Sequence, residues 1–202
     1  MRLHERAVHV TMSLVEESQS RAPKRAEVAE ALGVPPEAIA RLFPDDKTLL
    51  IAAVEQALII LIDTCTRAVV RVDPRNPMAQ FIALGEAYLD WADCHRAQFR
   101  LMSDQRLLEV MNVAGLRRYV DSVTDLMTRM LTRAKTEGLI HPKEDIPLLV
   151  LSSRSFAYGL ARMVVDDRMV DGTLGNDPVA TAKMLTRDFI LRVARSSQRL
   201  PA

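Results

Sequence analysis

The chain has 202 residues, 27 Lys and Arg against 26 Asp and Glu, a formal net charge of +1, and 49% hydrophobic residues with seven glycines. This describes an ordinary soluble chain able to bury a sizeable core, and it excludes a strongly basic domain recognisable by charge alone. No repeat, low-complexity segment or strand pattern interrupts it, and the periodicity predicts an all-α protein of about nine helices.

In chain order, Arg6 to Ser18 carries Ala7, Val10, Leu14 and Val15 at helical spacing and predicts a first helix. Val28, Ala29 and Leu32 share one face of a second, with Gly33 as a permissive C-cap. Ile39, Leu42 and Phe43 share an inward face of a third, which Pro36 can open because its missing N–H costs nothing at the first helical position. Residues 25 to 44 therefore have the pattern of a helix-turn-helix. Asp45 is a natural N-cap for a long helix whose apolar residues begin at Leu49 and Leu50.

Beyond that point, punctuation cuts the chain. A helix to about Val72 is stopped by Pro74, and Asn76-Pro77 opens another to about Asp93. Shorter pieces follow through Asn112, then a long helix from about Leu116 to Glu137 with Gly138 after it. Asp145 with Pro147 opens a helix to about Asp166; after a loop from Asp171 to Asn176, Asp177-Pro178 opens the last, to about Arg195. The division expected is a three-helix head over residues 1–50 and a helical body over residues 51–202.

Chemistry-bearing patterns are few. Cys65 and Cys94 are isolated and are expected to be buried, reduced thiols, without zinc-ligand spacing. The four histidines form no carboxylate-paired set, and there is no phosphate loop or nucleophile elbow, so no catalytic residue, metal or cofactor is expected. The start at Met1 lacks a signal-peptide pattern, and the apolar run from Ala57 to Ile62 is interrupted by Asp63 and Arg67, which predicts a cytoplasmic protein with no membrane partner.

Residues 1–50 hold seven Lys and Arg against eight Asp and Glu, so distribution decides more than the total. Arg21, Lys24 and Arg25 gather before and at the start of the second helix, Arg41 lies on the third and Lys47 starts the fourth. With Ile39, Leu42 and Phe43 turned inward, Arg41 is left on an outer face, where Arg is the commonest reader of bases.

Val28-Ala29, Gly33-Val34 and Phe43-Pro44 followed by Lys47, Leu49 and Leu50 resemble the head of the tetracycline-repressor-like regulators. The resemblance covers roughly the first 55 residues. It implies a homodimeric, ligand-responsive transcriptional regulator, a repressor on a pseudo-palindromic double-stranded DNA operator, with DNA contacts from Arg21, Lys24, Arg25, Pro36, Glu37, Arg41 and Lys47. The chain departs from the family pattern where DNA is touched. Pro23 and Lys24 replace a capping hydroxyl, Pro36-Glu37-Ala38 replaces a polar start to the recognition helix, and Ala40 replaces a phosphate-contacting Tyr. An acidic Glu37 and a short Ala40 weaken phosphate contact or change the target.

Residues 81–107 resemble the effector domain of a subgroup of the same family through Tyr88, Trp91-Ala92, Phe99 and Leu101-Met102, with Arg96 where the subgroup has Pro and Gly159 kept on the penultimate helix. The family's bodies bind small molecules between helices, which implies a site for an unknown effector drawn from Tyr88, Trp91, His95, Phe99, Met102, Tyr119, Met127, Arg154 and Tyr158. Most such bulky residues are ordinarily core, and Arg154 fits either an acidic ligand or a salt bridge. Ser152, Ser155 and Gly159 form a small-residue stripe, and Ala182, Leu185, Phe189 and Val193 an apolar one, suited to a four-helix dimer interface or to packing within the monomer. Two other functions remain open: a small-molecule or lipid-binding accessory protein of the same fold that has lost DNA binding, and, less supported, a helical-bundle enzyme.

Overall fold

A computed structural model describes residues 2–18, 21–104, 108–169 and 177–196. Among these residues there are nine α-helices, one 3-10 turn and no strand. The helices are α1 (Leu3–Ser18), α2 (Arg25–Leu32), α3 (Pro36–Ala40), α4 (Asp46–Val70), α5 (Pro77–Cys94), α6 (Arg96–Ser103), α7 (Ala114–Thr136), α8 (Ile146–Val165) and α9 (Pro178–Ser196), with the 3-10 turn at Val110–Asn112 before α7. The loop expected at 171–176 lies outside the described residues. The chain forms two compact units, Met1–Ile60 with His95–Tyr119, and Leu61–Cys94 with Val120–Ala202.

In the first unit, α1, α2 and α3 close over a core of Ala7, Val8, Val28, Ala29, Ile39, Phe43 and Leu49, and α6 packs against α1. The turn between α2 and α3 is set by Gly33 at φ 64°, a left-handed conformation that costs glycine little. It lets the Gly33 N–H donate to the Glu30 carbonyl and the Val34 N–H to the Ala29 carbonyl, satisfying the end of α2. Pro36 does occupy the first turn of α3. Of the three residues expected inward on that helix, Ile39 and Phe43, four residues apart, are fully buried, but Leu42, about 100° of helix away from Phe43, falls at the edge of that stripe and is 37% exposed. Asp45 caps α4 by accepting from both the N–H (2.6 Å) and the hydroxyl (2.7 Å) of Thr48, and these bonds hold its carboxyl below the usual range.

In the second unit, α5 packs on α8 and α9, and α8 on α9. The side chains of Asn76, Asp145 and Asp177 each accept a backbone N–H one turn ahead, so the starts read from Asx-Pro punctuation are helix caps in fact. At Gly85 a Cβ would stand 3.0 Å from the Thr186 methyl, so α5 and α9 approach as closely as a glycine permits. Arg187 pairs with Glu86 at 2.8 Å and Lys183 with Asp90 along the same seam.

Among the described residues two helices, α4 and α8, are long and apolar enough by length and composition to cross a membrane. In α4 that apolarity is used in packing: Leu49, Leu50, Ala53, Val54, Ala57, Leu58 and Leu61 are all buried. The two cysteines differ from the expectation that both are buried. Cys65 is enclosed, its sulfur 4.0 Å from the Leu84 carbonyl, and desolvation pushes its thiol up to about 12; Cys94 ends α5 and is exposed. A thiol reagent at mildly alkaline pH should therefore modify Cys94 alone in the folded protein and both cysteines in denaturant; rapid modification of Cys65 in the native state would contradict this burial.

Candidate functional site

The head presents one outward helix face. Burial of Ile39 and Phe43 fixes the rotation of α3 and leaves Pro36, Glu37, Ala40 and Arg41 in solvent. Lys47, in the first turn of α4, is exposed as well. Among the described residues neither Arg41 nor Lys47 makes a side-chain hydrogen bond or ion pair.

The three basic residues before and at the start of α2 have separate fates. The Arg21 guanidinium pairs with Glu27 at 2.6 Å, and Glu27 also accepts the Lys24 backbone N–H at 2.8 Å; these bonds hold the Glu27 carboxyl below its usual range, the backbone bond first. Lys24 is exposed. Arg25 is turned into the head, where Nη1 donates to the Phe43 and Pro44 carbonyls at 2.9 and 2.5 Å and Nε to Asp46 Oδ1 at 3.2 Å. Asp46 Oδ1 also accepts the Arg25 backbone N–H at 2.9 Å. Arg25 thus clamps the start of α2 to the turn between α3 and α4. Nothing in its sequence neighbourhood signals this, since the acceptors are backbone carbonyls 18 and 19 residues away.

The residues expected around an effector fall in both units. His95, Phe99, Met102 and Tyr119 belong to the first, and Tyr88, Trp91, Met127, Arg154 and Tyr158 to the second. In the first, Phe99 is buried and the Tyr119 hydroxyl donates to Glu55 Oε1 at 3.0 Å, a bond that raises the Tyr119 phenol above its ordinary value. Two grooves of about 430 and 480 Å³ also lie in this unit, one between the end of α1 and α2, the other beside Asp46, Lys47 and Leu50 at the start of α4.

In the second unit Trp91 and Met127 are buried, and the Tyr88 ring lies 6.5 Å from that of Trp91. Burial raises the Tyr88 phenol well above its usual value, the nearby Tyr158 and Cys65 add to this, and the Arg154 charge opposes it. Arg154 donates to the Thr124 hydroxyl at 2.9 Å and meets no carboxylate partner among the described residues. The Ser153 and Thr186 hydroxyls are buried with no hydrogen-bond partner, a feature that sequence alone does not reveal.

On α8, Ser152, Ser155 and Gly159 are all exposed, and Leu148 (59%), Leu151 (60%) and Met163 (41%) extend the same stripe. These apolar neighbours are missed by a reading of the small residues alone; their spacing of four from Ser152, Ser155 and Gly159 is the signal that finds them. On α9, Ala182 is fully buried within its own chain, Leu185 and Val193 are half-buried, and Phe189 stacks on Phe156 of α8 with ring centroids 4.6 Å apart.

The sequence profile described as tetracyclin repressor-like, C-terminal domain, matches residues 81–189. No curated protein sequence matches. Among solved structures, a protein of unknown function from Rhodococcus sp. RHA1 superposes with a TM-score of 0.82 at 23% identity, over 96% of each chain. A bacterial regulatory protein in the tetR family from Rhodococcus RHA1 gives 0.73 at 21% identity, over 96% of this chain and 97% of the other. The TetR family transcriptional regulator PfmR from Thermus thermophilus gives 0.70 at 19%, over 93% of this chain and 97% of its own. These likenesses establish the fold, and the profile spans more than half of the sequence. The chain belongs to the tetracycline-repressor-like family of transcriptional regulators.

Proposed function

We propose that the protein is a homodimeric, effector-responsive repressor that binds double-stranded DNA at a pseudo-palindromic operator. The observation that carries this reading is the outer face of α3, held outward by Ile39 and Phe43, with Arg41 on it and Lys47 beside it, neither in a side-chain hydrogen bond or ion pair among the described residues. A helix so presented suits a major groove, with Arg41 at base edges and Lys47 at a phosphate. Arg25 has a different part: it positions α3 through the Phe43 and Pro44 carbonyls and is withdrawn from phosphate contact.

The exposed stripe of α8, small at Ser152, Ser155 and Gly159 and apolar at Leu148 and Leu151, supports pairing with a second copy, so that two heads meet two half-sites. The effector is an acidic molecule: the half-buried Arg154 donates to the Thr124 hydroxyl and has no carboxylate partner among the described residues. Effector binding favours a body conformation whose heads no longer match the half-site spacing.

Binding of the purified protein to its own upstream DNA, titrated across salt, tests the whole reading. Saturable binding is expected, with Lys47→Ala lowering the slope of log K against log salt by about one, as loss of a phosphate contact does. Arg25→Ala should leave that slope unchanged while lowering the thermal stability of the head. Absence of binding at low salt would mean that the head has been retired from DNA, with the body's ligand as the function. Sedimentation should give a dimer for the wild type and a monomer for Leu151→Glu; a variant that stays dimeric would move the interface off α8. Carboxylate-bearing small molecules should release the wild type from DNA and fail to release Arg154→Gln, whereas equal release of both would exclude Arg154 as the ligand's counter-ion.

A further inference from the structure

The outer face of α3 carries an acidic residue, and this looks at first like a defect in a DNA-binding surface. Glu37 and Arg41 sit one turn apart: the Arg41 N–H donates to the Glu37 carbonyl at 3.1 Å, and both side chains are exposed. Glu followed by a cation four residues later is the favourable order for a helix-surface ion pair. Even so, Glu37 and Arg41 do not pair with each other, nor with any other side chain among the described residues. Neither charge is held in an ion pair or side-chain hydrogen bond within the head, among the described residues.

A carboxylate near a duplex is repelled by phosphate and subtracts from sequence-independent affinity. What it can accept in the major groove is an exocyclic amine, and the pairing suited to Glu is with the cytosine N4 amine. Arg41 has the complementary capacity, a planar fork that donates to guanine O6 and N7. Four residues of helix advance by about 6 Å, against roughly 3.4 Å per base step, so the two side chains reach bases no more than about two steps apart. The small Ala40 between them keeps the backbone of α3 free to approach.

We propose that Glu37 and Arg41 are the specificity-determining pair of this head, reading a cytosine and a guanine within two base pairs of each other in each half-site. Selection then works by penalty: where no exocyclic amine is in reach, Glu37 faces an acceptor, a methyl group or a phosphate, and non-specific binding is suppressed. The proposal rests on the DNA-binding reading above and gives that reading its base chemistry.

The test is selection of the full-length dimer against a duplex library with randomised half-sites, followed by affinity measurement on the enriched sequence and its single-base variants. Wild-type protein should enrich a C and a G within two positions, with a loss of roughly 5- to 100-fold on replacing either. Arg41→Ala should relax the guanine position alone. Glu37→Gln should move the cytosine preference toward adenine, whose N6 and N7 suit an amide, and should tighten binding to random DNA. If Glu37→Gln tightens binding to all sequences equally and leaves base preference unchanged, the proposal is overturned while the regulator reading stands. If no library member binds above competitor DNA at low salt, both fall.

Discussion

The head depends on a single half-buried fork. Arg25 begins α2, yet its guanidinium reaches across to the carbonyls of Phe43 and Pro44, the segment that ends α3 and leads into α4. Those carbonyls have left helical hydrogen bonding and need donors. A planar cation with several donors can satisfy two of them and still bond Asp46. The apolar contacts of Ile39 and Phe43 press α3 onto the core, but they are non-directional; the clamp is what gives the turn after α3 a fixed relation to the start of α2. Glu37 and Arg41 owe their outward placement to both.

The second unit is organised by close approach. Gly85 lets α5 meet Thr186 of α9, and Phe156 and Phe189 stack where α8 meets α9. α8 is apolar on more than one side, with Leu149, Val150, Leu160, Ala161 and Val164 inward and Leu148, Leu151 and Met163 outward. A helix with that distribution leaves apolar surface in water at roughly 25 cal/mol per Å², and covering it is the physical motive for the proposed pairing of two copies. The Ser153 and Thr186 hydroxyls, buried without hydrogen bonds, are a cost that the same packing carries.

Most of the element order was legible in the chain, for local reasons. Asn76-Pro77, Asp145 with Pro147 and Asp177-Pro178 announced helix starts because an Asx side chain accepts a free N–H of the first turn while Pro, which has none, loses nothing there, and Gly33 announced a turn because the left-handed conformation there favours glycine. Where the reading failed, the determinant was not local. Leu42 is within the helical period of Ile39, but the packed head covers only the Ile39 and Phe43 side of that stripe and leaves Leu42 at its edge. Cys94, like Cys65, is an isolated cysteine on a helix, but it ends that helix in solvent.

The sequence by itself determined the helical class, the helix-turn-helix and the residues of its outer face, because capping, turn chemistry and the period of 3.6 act within a few residues of one another. Tertiary structure alone decided which charges are available. Arg21, Lys24 and Arg25 are equivalent in the sequence, yet one pairs with Glu27, one stands exposed and one is consumed by carbonyls 18 and 19 residues away. It likewise decided that Arg154 meets a hydroxyl rather than a carboxylate, and that the apolar residues of α8 fall on both sides of the helix. Such outcomes depend on groups distant in the chain, whose meeting only the packed fold arranges.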